Sequence, residues 1–178
     1  MLCTIVLMLF SLNFKAIRLT AKVSTCDDIY DLLDHLVPHV YRFSDICCLH
    51  IALVGTTLQV FHEKSLKVVA KKLLPSLTDT DAIRLKDLER LLLAMTMFDY
   101  DPKTSPDIFY TIYEELHGDK RVSEKVKYPR IVATMLSYLS MRNVYSHELL
   151  NQLLDDDMVT EVYGTLFLIF LYYVFSKY

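Results

Sequence analysis

Glycine is nearly missing from this chain: three residues in 178, at Gly55, Gly118 and Gly164. That scarcity excludes a good deal of chemistry. A kinase needs a glycine-rich loop over the phosphates, and Walker and Rossmann loops need several glycines within a short stretch. Three scattered glycines cannot build any of these, and neither HRD nor DFG occurs. Proline is also scarce, at five. With few turn formers and much leucine, long helices are favoured over a many-stranded sheet. The four cysteines, Cys3, Cys26, Cys47 and Cys48, make no CxxC. Adjacent cysteines bridge each other only under strain, so free thiols in a reducing compartment are expected. No charge of one sign dominates: the net charge is -3 and the pI about 6.0. A chain that is basic throughout is thereby excluded, while a local basic face is left open.

What the chain does have is apolar surface in helical spacing. Hydrophobic residues make up 53%, with a mean hydropathy of +0.27, enough for one sizeable core. The clearest stretch is RLKDLERLLLAMTMFDYDPKTSPDIFYTIYEELHG, from Arg84 to Gly118. Leu85, Leu88, Leu91, Leu92, Met95 and Phe98 recur at three and four residues, on one helix face. Ser105, Pro106 and Asp107 then predict a second helix start, with Ser105 as cap and Pro106 at the first position. Ile108, Phe109, Ile112, Tyr113 and Leu116 supply its apolar face, and Gly118 suits a left-handed end. The short link predicts that the two helices are antiparallel neighbours.

The flanking sequence repeats this plan. Thr25 with Asp28 outlines a capping box before Ile29, Leu32, Leu33 and Leu36, and Pro38 is placed to kink that helix. A short apolar helix over 45–54 ends near Gly55, and another is predicted from Thr56 or Thr57 until Pro75 closes it. DKRVSEKVKYPR reads as an exposed charged connector, Pro129 opens the next helix, and Ser146 caps the helix HELLNQLLDDDM, whose last turn the three Asp weaken. LLLAMTMF at 91–98 aligns with IVATMLSY at 131–138, an offset of 40. Periods of this size mark helical-hairpin solenoids. The expected fold is therefore all-α: stacked antiparallel hairpins in a solenoid-like array over residues 24–160.

The two ends differ from this array. Residues 1–23 are apolar and then basic, with no acid before Asp27. A presequence, a signal or anchor, and a buried start all compete there. Residues 161–178 include VYGTLFLIFLYYVFS, which carries no charge. A membrane anchor, a buried capping helix and a tail foreign to the fold compete for that segment.

No catalytic constellation is evident, and no cofactor or metal is expected. His35 and His39, with Asp31 one turn earlier, have metal-ligand spacing, but Pro38 interrupts them and no third ligand is clear. Glu114 and Glu115 are adjacent and diverge on a helix surface, which argues against paired acid–base work. The basic residues carry more. Lys64, Lys67 and Lys71, with Lys72, lie on nearly one side of a helix; Arg84 and Arg90 follow; Lys120, Arg121, Lys125, Lys127 and Arg130 occupy the connector. Stacked in register, they would line a surface that contacts phosphates. The plainer reading is an ordinary solvated face.

AIRLKDLERLLLAMTMFDY, SPDIFYTIYEEL and KYPRIVATMLSYLSMRNVYSHELLNQLL resemble the helical region of the FAST kinase-like family. These are mitochondrial proteins related to the Fas-activated serine/threonine phosphoprotein. The resemblance spans about 25–160, most specifically 83–155, and neither terminal segment matches. It implies an α-helical repeat protein acting on mitochondrial RNA in the matrix, in transcript processing, stability or translation, with ribosomal or RNA-granule proteins as further partners. It also implies that the family's kinase label does not describe its chemistry. The family's C-terminal RAP domain has no counterpart in the matched region. The other function to weigh is a protein-interaction scaffold without RNA, including one tethered to a membrane through the terminal apolar segments.

Overall fold

In this computed structural model the described residues are 24–57 and 59–153, together with Ala16, Asp155, Asp157, Val159, Thr160 and Gly164. The readings of residues 1–23 and 161–178 fall almost wholly outside them. Among the described residues the fold is all-α, with eight α-helices and no strand.

Helix α1, Cys26–Leu36, starts on the expected capping box. The Thr25 hydroxyl oxygen accepts the Asp28 amide at 3.2 Å, and the Asp28 carboxylate accepts the Thr25 amide at 3.0 Å. Pro38 does not kink the helix; it sits at the start of a 3-10 turn, Val37–Arg42, that replaces it. Helix α2, Asp45–Val54, is capped by Ser44 and buried along Cys47 to Val54. It ends at Gly55, as expected.

The next helix starts later than the sequence pattern predicts. A 3-10 turn covers Gly55–Thr57, and Gln59 takes a left-handed φ of 56°. The Val60 amide turns back to the Gly55 carbonyl at 2.9 Å, and the Phe61 carbonyl accepts the Tyr30 hydroxyl at 2.6 Å. With those backbone groups satisfied by tertiary partners, helix α3 begins only at Glu63 and runs to Leu73.

Helix α4, Leu85–Met97, is the predicted leucine helix. Helix α5, Ile108–His117, is capped by Asp107, not Ser105: its carboxylate accepts the amides of Phe109 and Tyr110 at 2.9 and 3.0 Å. One carboxylate oxygen serving two amides outcompetes a hydroxyl two residues earlier. Gly118 ends α5 in an extended conformation, φ -63° and ψ 154°, so the left-handed expectation fails there. Nor is 119–130 a plain exposed connector. It holds a 3-10 turn, Asp119–Arg121, and helix α6, Val122–Lys127. Helix α7, Pro129–Ser140, and helix α8, His147–Leu153, follow, with Ser146 accepting the Leu149 amide at 3.2 Å.

Packing sets a neighbour order that the sequence order hides. α3 lies against α1 and α2, α2 against α4, α4 against α7, and α7 against α5, α6 and α8. Thus α4 is central, its partners being α2 and α7; its close contact with the consecutive helix α5 is minor, contrary to the hairpin expectation. Leu88, Leu91, Leu92 and Met95 of α4 are buried, as are Val132, Met135, Leu136 and Leu139 of α7. The two helices also end alike. Asp99 and Asn143 are left-handed, at φ 47° and 58°, and the next amides reach back to the Met95 and Leu139 carbonyls at 2.9 and 3.0 Å. These are Schellman-type ends with Asp or Asn in the usual glycine position. Helix starts, buried faces and ends correspond at a spacing of 44 residues, Leu85 with Pro129 and Asp99 with Asn143, in place of 40.

Candidate nucleic-acid interface

The basic residues divide into those facing water and those the fold has used. On α3, Lys64, Lys67 and Lys71 are all exposed. Lys64 is engaged: its ammonium lies 3.0 Å from Asp34 of α1. Lys72, in the last turn of α3, pairs with Asp45 at 3.1 Å. Among the described residues Lys67 and Lys71 have no ion pair or hydrogen bond through their side chains. They are the part of the α3 face open to a phosphate.

At the start of α4, Arg84 and Arg90 converge on one carboxylate. Asp87 is 1% exposed. Arg84 donates to it through Nε at 2.8 Å and Nη2 at 3.3 Å, and Arg90 through Nη1 at 3.2 Å. Asp87 favours the charged form of Arg84 and pushes its pKa up. A buried carboxylate needs this service, so much of the positive field of the two arginines is spent locally.

Arg121 overturns an expectation outright. It was read as a phosphate contact, but its side chain is 0% exposed. Its guanidinium donates to the Glu115 carboxylate at 3.1 Å and to the Ile83 and Leu77 carbonyls at 2.9 Å each. It therefore staples the loop before α4 to α5 and α6. Lys125 is also employed structurally, donating to the Leu116 and Gly118 carbonyls at 2.7 and 3.2 Å where α5 ends. Lys120 is exposed, with a long contact of 3.5 Å to the Thr78 carbonyl. Arg130 is exposed on the first turn of α7. Lys127 is exposed too, and its ammonium stands 5.3 Å from the centre of the Tyr128 ring.

The fold brings Arg84 toward Tyr128. The Leu85 amide donates to the Glu124 carboxylate of α6 at 2.6 Å. Arg84 is thereby held beside the α6–α7 junction, near Glu124 and Tyr128. Nothing in the sequence joined residue 84 to residues 127 and 128. The only available signal was Tyr128 lying between Lys127 and Pro129.

Two histidine sites have the parts of catalytic groups but other work. His117 donates from Nδ1 to the Tyr113 carbonyl at 3.0 Å, since a carbonyl can only accept, so its Nε2 accepts from the Ser146 hydroxyl at 2.8 Å. Serine and base are thus correctly disposed for proton transfer. Yet Ser146 is 6% exposed and its oxygen caps α8, which is a helix-start role. His62 stands 3.3 Å from Asp34, and Ser65 lies next to it. The Ser65 hydroxyl donates to the His62 carbonyl at 3.0 Å and not to the ring. The ring's Nδ1 accepts the Ser65 amide at 3.2 Å and so caps α3. Histidine is an unusual cap, and only the fold exposes that role.

The Asp31, His35 and His39 spacing gathers no metal site. The chain changes from α to 3-10 between the two histidines, and His35 Nδ1 is bound to the Asp31 carbonyl at 2.6 Å. Among the described residues no group of three or more His, Cys, Asp or Glu side chains is disposed to hold a metal ion. One apolar groove of about 310 Å³ opens between α6, α7 and α8, lined by Val122, Val126, Pro129, Val132 and Leu149. Val126 is 75% exposed there. No helix among the described residues is long and apolar enough to cross a membrane.

Comparison with protein-family models, curated proteins and solved structures finds no match to this chain.

Proposed function

We propose that this chain is a non-catalytic RNA-holding protein of the FAST kinase-like kind, serving organellar RNA processing, stability or translation in the mitochondrial matrix. The observation that carries the proposal is the arrangement of its solvent-facing cations. Lys67 and Lys71 on α3, Lys127 at the end of α6 and Arg84 before α4 are exposed on an all-α frame. Phosphate contact needs accessible cations on a rigid support and no reacting group. The 44-residue correspondence of α4 with α7, and a neighbour order in which α4 touches α2 on one side and α7 on the other, support reading the helices as a solenoid-like array. The RNA and the mitochondrial matrix come from the sequence resemblance. Mitochondrial RNA is the proposed ligand, with ribosomal or RNA-granule proteins as neighbours.

Fluorescence anisotropy with single-stranded RNA at stepped salt tests this. Affinity should fall steeply with salt, with a log–log slope of about -0.7 for each phosphate contact. The double variant Lys67→Ala/Lys71→Ala should flatten that slope and weaken every sequence alike. Absence of RNA affinity at low salt sinks the proposal. Protease protection of the chain in intact mitochondria, lost only when the inner membrane is opened, tests the compartment.

A second reading has its own observation. The groove beside the exposed Val126 suits an apolar partner, so the same frame also serves a protein-interaction scaffold. Binding of a protein partner with no RNA affinity would favour it.

A further inference from the structure

Tyr128 stands between α6 and α7 with its backbone held on both sides. Its amide donates to the Glu124 carbonyl at 2.9 Å, and its own carbonyl accepts the Ile131 amide at 3.0 Å. Pro129 follows and keeps it out of the helical region, at φ -131° and ψ 56°. The residue is 43% exposed. The Lys127 ammonium lies over the ring, 5.3 Å from its centre, and leaves the opposite face for a base. The start of α4 is tied to α6 by the Leu85–Glu124 hydrogen bond, and the Arg84 side chain there is 65% exposed. The result is a solvent-facing ring with the Lys127 ammonium over it and Arg84 close by, assembled from two distant parts of the chain.

We infer that Tyr128 is a stacking platform for one base of single-stranded RNA, with Lys127 and Arg84 holding the neighbouring phosphates. This rests on the RNA-holding reading above and narrows it to unpaired strands. A surface that offers cations alone gains nothing from unpaired bases, because phosphate contacts carry no base information. An exposed ring adds a partner that only an unstacked base can use.

The electrostatics permit Arg84 to take this role. Turning it toward a phosphate does not strand buried Asp87, which keeps Arg90 at 3.2 Å. The nearest other acid, Glu124, is already engaged by the Leu85 amide at 2.6 Å and faces buried Arg121 at 3.8 Å. Its charge is therefore partly met from inside the fold. Two arginines on one carboxylate leave one of them available for exchange.

The test uses the full chain with a labelled oligouridylate, an abasic strand of equal length and a duplex RNA. Tyr128→Leu should weaken oligouridylate binding about tenfold, the scale of one base–ring stack. It should leave the abasic strand and the duplex unchanged. Tyr128→Phe keeps the ring and should bind as the parent does. Arg84→Gln and Lys127→Gln should weaken all three ligands. Matching thermal melts establish that each variant is folded. The inference is overturned if Tyr128→Leu binds oligouridylate as tightly as the parent, or if the parent binds the abasic strand equally well. Equal competition by an oligoglutamate peptide would also overturn it, as an acidic-protein site. Retained RNA affinity in Tyr128→Leu removes the stacking role alone, whereas no RNA affinity in the parent removes the broader reading with it.

Discussion

Arg121 and Glu115 form an ion pair of 3.1 Å with almost no water beside it, at 0% and 10% side-chain exposure. The remaining arms of the guanidinium serve the Ile83 and Leu77 carbonyls. Arg121→Ala strands a buried carboxylate and two buried carbonyls together. Breaking one side of a buried pair costs about 3–5 kcal/mol. The expected outcome is a lower denaturant midpoint with an unchanged slope. Arg121→Lys should recover only part, because an ammonium lacks the planar fork that reaches three partners. Full stability in Arg121→Ala would refute the staple.

Gly55 is required by a close approach, not by its own torsion angles. Its φ is -71°, open to any residue, yet a β-carbon there would collide with the Val60 carbonyl. That neighbour is backbone and cannot swing aside. The same two residues are joined by the Val60 amide bond to the Gly55 carbonyl at 2.9 Å. Gly55→Ala should therefore destabilise by about 1–3 kcal/mol, as overpacking does, where a merely helix-ending glycine would gain slightly. Chemical unfolding of the single variant distinguishes the two signs.

His62 caps α3 through Nδ1, so its proton sits on Nε2, toward Asp34. Two-bond nitrogen correlations should find that tautomer at neutral pH. His62→Ala should cost about 1 kcal/mol, the scale of a lost cap, and His62→Asn should restore most of it. Equal stability of the alanine variant and the parent would exclude the capping role.

These three residues mark where sequence reading stops. The leucine face of α4, the Thr25–Asp28 box, the Ser146 cap and the Pro129 start were legible, because each depends on spacing within one segment. Arg121 looked like its exposed basic neighbours, and its burial depends on carbonyls at 77 and 83. The start of α3 was misplaced because hydrogen bonds from Tyr30 and to Gly55 hold 60 and 61 outside the helix, although the apolar pattern there is continuous. The α4–α5 hairpin was inferred from a short link, whereas helix partners are chosen by complementary apolar faces. Of the candidate interface, the α3 lysines were readable from helical spacing; the approach of Arg84 to Tyr128 was not, since it is purely tertiary.

The capping box of α1 should respond to acid. The Thr25 side chain, then its amide, hold the Asp28 carboxyl below the ordinary aspartate range. A folded-state value below the unfolded one stabilises the fold above the ordinary range, and that gain disappears as pH falls through the folded value. Helical chemical shifts at Asp28 and Ile29 should therefore persist at mildly acidic pH and decay only below the ordinary carboxylate range. In Thr25→Val, which lacks the hydroxyl, they should be weaker at neutral pH and show less acid dependence. Identical titration in both proteins would contradict the cap.

The three described cysteines should separate cleanly by reactivity. Cys26 is exposed, whereas Cys47 and Cys48 are buried in α2. Burial pushes the Cys48 thiol up to about 12, since a thiolate there would lose its hydration. The thiolate is the reactive form, so Cys48 presents almost none near neutral pH. Brief iodoacetamide treatment of the folded chain, followed by peptide mass spectrometry, should label Cys26 and leave Cys47 and Cys48 unmodified. In denaturant all three should label at similar rates. Prompt native-state labelling of Cys48 would mean that α2 opens readily, and α4, which packs against it, would then have to open as well.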